Sequence, residues 1–381
     1  TLNLQTSTWN VAGNWTNVAG NTTVTVDPGT STVIFNATDT DNTITSNGQP
    51  FYNVIFSSGT YTLQDAFDVN GDLSFLWEEN FSSRKTITIE SDQVDANLTN
   101  FPVLYSVTDT DLINNVMSGS NYTIKFTNAT GTDLPYEVEY YNNTTGQLIA
   151  WVKADSLSST TDTAIHFYYG SSDTASTENA SGVWDSNYVG VWHLEETSGT
   201  HDDSSNGNDG TWTTNGGTGT QDGTGKIDGA DFFDGDGDRI TIPAHSSVNN
   251  FTNLSISVWI KGTGDQTDSL AGIVDGYSAA EYSYALWRNS NEDVRFLVGY
   301  ATNDIVGNVV STGQIADDNQ WHHIVAVRDT SEEKVYLYVD GSLDISGNDA
   351  SNATALNYSV DVDIGERNGG TGNFNGSIDE I

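Results

Sequence analysis

The feature that most constrains this chain is a two-residue alternation of apolar and polar side chains. It recurs in short runs along the whole length and is broken by Gly, Asn, Asp and Pro. Val335-Tyr-Leu-Tyr-Val339 followed by Asp340-Gly341 shows the pattern: a strand with one buried face, then a tight hairpin turn. Lys85 to Glu90, Tyr122 to Phe126 and Tyr136 to Tyr140 alternate in the same way. Apolar spacings of three and four are nearly absent, and only Asp111 to Met117 reads as one short helix. Thr, Ser, Val, Asn, Gly and aromatics dominate, which suits pleated, half-buried surfaces. The chain is therefore expected to be all-β. Its 381 residues suit two or three tandem domains, and 36% apolar content is enough to fill their cores.

Residues 1–76 form the first unit, with short strands at Thr22 to Val26, Thr32 to Phe35, Phe51 to Phe56, Tyr61 to Leu63 and Phe67 to Val69. The spacing from Val54 to Leu73 is close to one rung of a β-solenoid. A solenoid-like stack and a small sandwich both fit. Residues 77–188 read as a second unit, a β-sandwich, with strands near Lys85, Phe101, Tyr122, Tyr136, Leu148 and Thr163. Residues 189–381 are the third unit.

The second unit carries Arg84-Lys-Thr-Ile-Thr-Ile, Leu98-Thr-Asn-Phe-Pro-Val-Leu, Leu134-Pro-Tyr-Glu-Val-Glu, Phe167-Tyr-Tyr-Gly170 and Val183-Trp-Asp185. This order resembles a domain of unknown function in archaeal and bacterial surface proteins, found there just before a laminin-G-like domain. The third unit carries Val191-Trp-His-Leu-Glu-Glu196, Asp203 to Gly210, Gly229-Ala-Asp-Phe-Phe-Asp-Gly235, Leu254 to Ile260, Trp321-His-His-Ile-Val-Ala-Val327, Asp363-Ile-Gly365 and Phe374 to Glu380. It resembles the laminin-G/concanavalin-A-like jelly-roll family, two antiparallel sheets packed face to face. In that family the Ile-Asp-Glu strand runs further, so the stop at Ile381 is expected to leave this jelly roll short in its last strand. The two resemblances imply a prokaryotic, archaeal-type cell-surface protein.

Charge narrows the partners. With 12 Lys+Arg against 52 Asp+Glu, the net charge of −40 repels nucleic-acid phosphate and anionic lipid. Such acidity suits either a salt-adapted surface or divalent-cation binding. No cysteine is present, which removes disulfides, thiolate metal sites and Cys nucleophiles. No apolar run is long enough for a membrane-spanning helix, so no membrane insertion is expected. Sequons begin at Asn14, Asn21, Asn36, Asn80, Asn97, Asn121, Asn128, Asn142, Asn143, Asn179, Asn250, Asn253, Asn352, Asn357 and Asn375, and their density points to an extracellular glycoprotein.

Catalytic signatures are missing. There is no Gly-x-Ser-x-Gly elbow, and His166, His193, His322 and His323 lie within strand phrases, where packing or hydrogen bonding is the expected role. A glycanase needs two carboxylates facing one cleft. Only Glu137/Glu139 has same-face spacing, and it reads as an exposed strand face. The chain is expected not to be an enzyme. A structural Ca²⁺ is expected on one of two acidic loops: Asp203, Asn206 and Asn208, with Asp379 implied by the jelly-roll resemblance, or Asp234, Asp236 and Asp238. Acidic turns with no ion fit these loops equally well.

Two functional readings stand. One is a structural or adhesive surface protein, a filament subunit associating end to end with copies of itself by strand addition. Thr1 to Thr8 would donate a strand, and an edge would stand open beside Ile381. The other is a glycan-binding module, perhaps an accessory to a polysaccharide-degrading enzyme, with Trp212, Tyr277, Tyr282 and Trp287 stacking on sugar rings.

Overall fold

The computed structural model describes residues 2–17, 26–37, 41–58, 61–75, 80–119, 121–171, 173–263, 269–276, 284–300, 304–313, 315, 318–350, 356–357, 359–367, 370 and 372–381. The chain is all-β, with about 53% strand and 4% helix.

The first segment stacks its strands in parallel. Thr8–Val11, Thr32–Asn36, Asn53–Ser58 and Leu73–Phe75 form one sheet, and Trp15–Thr16, Asn42–Thr45 and Tyr61–Leu63 form a second. The chain alternates between the two sheets and climbs one rung per circuit, so this unit is solenoid-like rather than a small sandwich. Val54 pairs with Leu73, the residues whose spacing suggested a rung. Inward Val33 and Phe35 are fully buried between half-exposed Thr32, Ile34 and Asn36. Rings from successive rungs meet at the centre, with Phe35 stacked on Phe56 at 5.1 Å and edge-on to Tyr61 at 5.2 Å. Leu2–Asn3 pairs with Val26–Asp27, so part of the segment expected to reach for a neighbour has a partner in its own chain.

The second segment is a sandwich. Phe81–Ile89, Thr163–Ser171, Lys125–Asn128 and Asp133–Leu134 make one sheet; Leu98–Thr108, Gln147–Leu157 and Tyr136–Asn142 make the other. Between them lie Phe126, Tyr136, Leu148, Val152 and Phe167. The expected helix at Asp111 to Met117 is only a 3₁₀ turn, Thr110–Leu112, because the Asp109 side chain takes the Asp111 N–H and starts a tight turn.

The third segment is the jelly roll. One sheet runs Thr200–His201, Gly210–Thr213, Arg239–Ile242, Val362–Ile364, Leu270–Asp275, Tyr284–Asn289, Val294–Tyr300 and Asp304–Val310. The facing sheet runs Thr220–Thr224, Gly229–Asp234, Asn375–Asp379, Leu254–Gly262, His322–Asp329, Lys334–Val339 and Ser342–Asn348. Leu254, Ile256, Val258 and Ile260 alternate into the core against Leu286, Phe296 and Ile364. The last strand corrects an expectation. Asn375–Asp379 lies inside its sheet, paired on both sides, and Ile381 exchanges backbone hydrogen bonds of 2.9 and 3.0 Å with Trp192. No strand edge stands open beside it. No helix among the described residues is long and apolar enough to cross a membrane.

Candidate functional site

The site lies where the sandwich meets the jelly roll. The Tyr136–Asn142 strand sends Tyr136 and Val138 into its own core. A β-bulge between Val138 and Tyr140 leaves Glu139 as the extra residue. Glu137 and Glu139 are only 9% and 6% exposed, which corrects their reading as an exposed face. The strand is thus covered on both sides, by its own core and by the segment leading into the jelly roll. Trp151 sits beside Glu137 on the next strand, and its ring centre lies 5.3 Å from that of Trp184 and 6.2 Å from that of His193. Val183, Trp184 and Val191 form a small buried cluster, with Trp151 and Tyr188 packed on it.

Each acid has an assigned partner. The Trp151 indole N–H donates to Glu139 Oε2 at 2.7 Å, and the Trp184 indole donates to Glu137 Oε2. Ser204 Oγ donates to Glu137 Oε1 at 2.6 Å. His193 stands between three carboxylates. Its Nδ1 lies 3.0 Å from Glu380 Oε2 and 3.6 Å from Glu139 Oε2, and its Nε2 lies 3.5 Å from Glu137 Oε2. Glu139 Oε1 is buried with no hydrogen-bond partner. Two neighbouring residues, Leu194 and Glu380, hold left-handed φ of 61° and 53°, a cost of about 1 kcal/mol or more each for a non-glycine residue. The buried Leu194 side chain and the Trp192–Ile381 pairing hold this geometry in place.

Burial pushes His193 down, but Glu380, Glu137 and Glu139 more than offset this and hold it well above its ordinary value. Burial and then the Glu380 charge push Glu139 up to about 9, so it keeps its proton at neutral pH. Burial opposes ionisation of Glu137 too, but His193, Ser204 and Trp184 hold it low. Burial followed by the Glu380 charge lifts Asp379 to about 7. A second buried histidine, His201, bridges Glu196 at 2.8 Å and Asp231 at 3.0 Å inside the jelly roll. Sequence reading missed both clusters. The Glu137/Glu139 spacing was the one visible signal, and it was assigned to the wrong environment.

The residues expected to bind calcium are engaged within their own loops. Among the described residues, the one group of three or more His, Asp or Glu donors within 4.8 Å is Glu139, His193 and Glu380. Asp203 organises its loop by accepting from Val191 N, Ser205 N and Oγ, Asn206 N and Asn208 N. Asn206 and Asn208 donate to Tyr188 O and Val189 O. Asp234 accepts from Thr218 and Asp236 N, while Asp236 is exposed. Asp238 Oδ1 and Asp379 Oδ1 are buried without hydrogen bonds; Asp379 Oδ2 takes the Lys226 and Ile227 N–H groups.

The sugar-stacking expectation needs correction at Trp287. Trp212 lies on a strand and packs on Phe233 at 5.2 Å. Trp287 is 3% exposed, with Arg367 over its ring and its N–H on Asp275. Tyr277 and Tyr282 lie outside the described residues, as do the sequons Asn21 and Asn352. Asn14, Asn80, Asn97, Asn121, Asn143, Asn179, Asn250 and Asn253 are exposed. Asn36, Asn128, Asn142 and Asn375 are half-buried, and the Asn128 amide already donates to Asp155 at 2.7 Å. Asn357 lies in a short strand paired with Asn250.

Residues 234–381 match the family model described as the Concanavalin A-like lectin/glucanases superfamily, and residues 120–215 match a domain of unknown function, DUF2341. The chain therefore carries a laminin-G/concanavalin A-like domain and a DUF2341 domain. Glu137, Glu139, Trp151, Trp184 and His193 fall in the second match and Glu380 in the first. No curated protein matches the chain. Among solved structures, the binding domain of Paraclostridial Mosquitocidal Protein 1 is similar at 14% identity and TM-score 0.41, with 51% of this chain and 47% of that one covered. Domain 4 of AbnA, a GH43 extracellular arabinanase from Geobacillus stearothermophilus in complex with arabinotriose, is similar at 19% identity and TM-score 0.38, over 50% and 89%. The Ruminococcus gnavus IT-sialidase CBM40 bound to alpha2,3 sialyllactose is similar at 14% identity and TM-score 0.30, over 35% and 76%. The chain spans about half of the first two structures it resembles, 47% in each case.

Proposed function

We propose that this chain is part of an extracellular structural or adhesive surface protein, glycosylated on its exposed sequons, and not an enzyme. One observation carries the reading. The same-strand carboxylate pair that could have served a hydrolase, Glu137 and Glu139, is closed off and committed to a joint between two β domains. A joint of packed indoles and buried acids closed around one histidine makes the sandwich and the jelly roll one stiff piece. Stiffness suits a spacer or a filament subunit, and end-to-end self-association is part of this proposal. Calcium on the Asp234 to Asp238 loop belongs to it as well, as an ion that would pin one turn.

Glycan binding is the second reading, and a specific surface favours it. Tyr336 and Tyr338 lie half-exposed on the outer side of the seven-stranded sheet, with ring centres 6.3 Å apart. Flat aromatic faces at such spacing suit sugar rings. Negative-stain imaging of native material tests the first reading. Fibres or regular chains would support it. Dispersed particles that bind a defined glycan on an array, and lose it in Tyr336→Ala, would replace it with the second.

A further inference from the structure

Glu139, His193 and Glu380 converge from three separate parts of the chain on one buried point. Their donor atoms lie within 4.8 Å of one another. The separations from His193 Nδ1, 3.0 Å to Glu380 Oε2 and 3.6 Å to Glu139 Oε2, bracket the spacing a tetrahedral ion imposes. Bonds of about 2.0–2.1 Å place neighbouring donors about 3.3 Å apart. A second observation points the same way. Glu139 Oε1, the second oxygen of the carboxyl whose Oε2 faces His193, and His193 Nε2 are both buried without a hydrogen-bond partner, on side chains 1% and 6% exposed. An orphaned carboxylate oxygen in such a place is costly, and a cation beside it would remove the cost.

The surrounding groups suit a ligated metal. His193 Nε2, the nitrogen facing away from the cluster, lies 3.5 Å from Glu137 Oε2 without a hydrogen bond, close enough for a small shift to make the carboxylate its partner. Glu137 is in turn held by Trp184 and Ser204, and Glu139 by Trp151. A divalent ion would offset the charge of the two carboxylates that ligate it. One imidazole with two carboxylates is a mixed donor set, which suits zinc or a similar first-row ion better than calcium, which takes oxygens.

We infer that Glu139, His193 and Glu380 form a structural site for a zinc-class divalent ion that clasps the sandwich to the jelly roll. The site is distinct from the acidic loops, and the inference does not depend on filament formation or glycan binding. The test uses the full chain, stripped with chelator and titrated with zinc chloride in excess calcium to mask exposed carboxylates. One zinc per chain is expected. Binding should be lost in Glu139→Gln and Glu380→Gln, weakened about tenfold or more in Glu137→Gln, and kept in Asp236→Ala. No zinc above the Glu139→Gln background, or equal affinity in all four variants, overturns the inference. Should the buried variants fail to fold, cobalt in the wild-type chain decides. An intense four-coordinate visible spectrum supports the site, and a weak six-coordinate spectrum overturns it.

Discussion

Trp184 gives its indole N–H to Glu137 and packs 6.0 Å from the His193 ring. Trp184→Phe keeps most of the packing but removes the donor from a buried carboxylate, at a cost of about 1–3 kcal/mol. Urea unfolding followed by the joint's tryptophan fluorescence should show that loss, while Tyr188→Phe should change little. His166 offers a pH test away from the joint. It sits between Thr86 and Thr127 in the sandwich sheet, near Arg84, and burial followed by the Arg84 charge holds it down to about 4. The folded state therefore prefers neutral His166, whereas the unfolded chain titrates near 6.5. Its contribution is full above pH 6.5 and is lost as pH falls towards about 4. His166→Gln should flatten the dependence of melting temperature on pH across that window, and an unchanged slope would show that other groups set it.

Among the elements, the solenoid stack is the most separable. Phe35 is fully buried and touches rings from several rungs. Phe35→Ala should cost about 3–5 kcal/mol and unfold the first segment while the jelly roll keeps its signals, as seen by hydrogen exchange. The turn at Gly146 is a second test. Its φ is 72°, and a Cβ there would lie 2.0 Å from Asp109 O. Gly146→Ala should therefore destabilise the sandwich by more than about 1 kcal/mol in denaturant titration. The acidic loop at Asp234 to Asp238 takes the calcium test: adding calcium to the metal-free chain should raise the jelly-roll melting temperature, and Asp236→Ala should abolish that response.

For the whole molecule, the joint predicts coupled unfolding. Calorimetry should show the sandwich and jelly roll melting together, with Trp184→Ala splitting them into two transitions. Two transitions in the unaltered chain would mean that the joint is weak. Native material should also exceed the sequence mass by several glycans, on peptides carrying exposed sequons such as Asn121 and Asn143 before half-buried Asn375.

The sequence by itself determined the strands, the hairpins and the two recognisable domains. Period-two alternation is a local property, and Val335 to Gly341 or Val54 to Leu73 states its pairing within a few residues or one rung. It determined less where two faces compete. Alternation places Glu137 and Glu139 opposite Tyr136 and Val138, but says nothing of what covers that second face. Only the tertiary structure decided this, by bringing His193 and Glu380 from positions far along the chain over a bulged strand. The same holds for Trp287, expected to stack on sugar rings but closed in by Arg367 and Asp275. It holds also for Ile381, whose backbone pairs with Trp192, nearly the whole domain away in sequence. The free energy of these contacts depends on burial by distant segments, and no local pattern of residues encodes that burial.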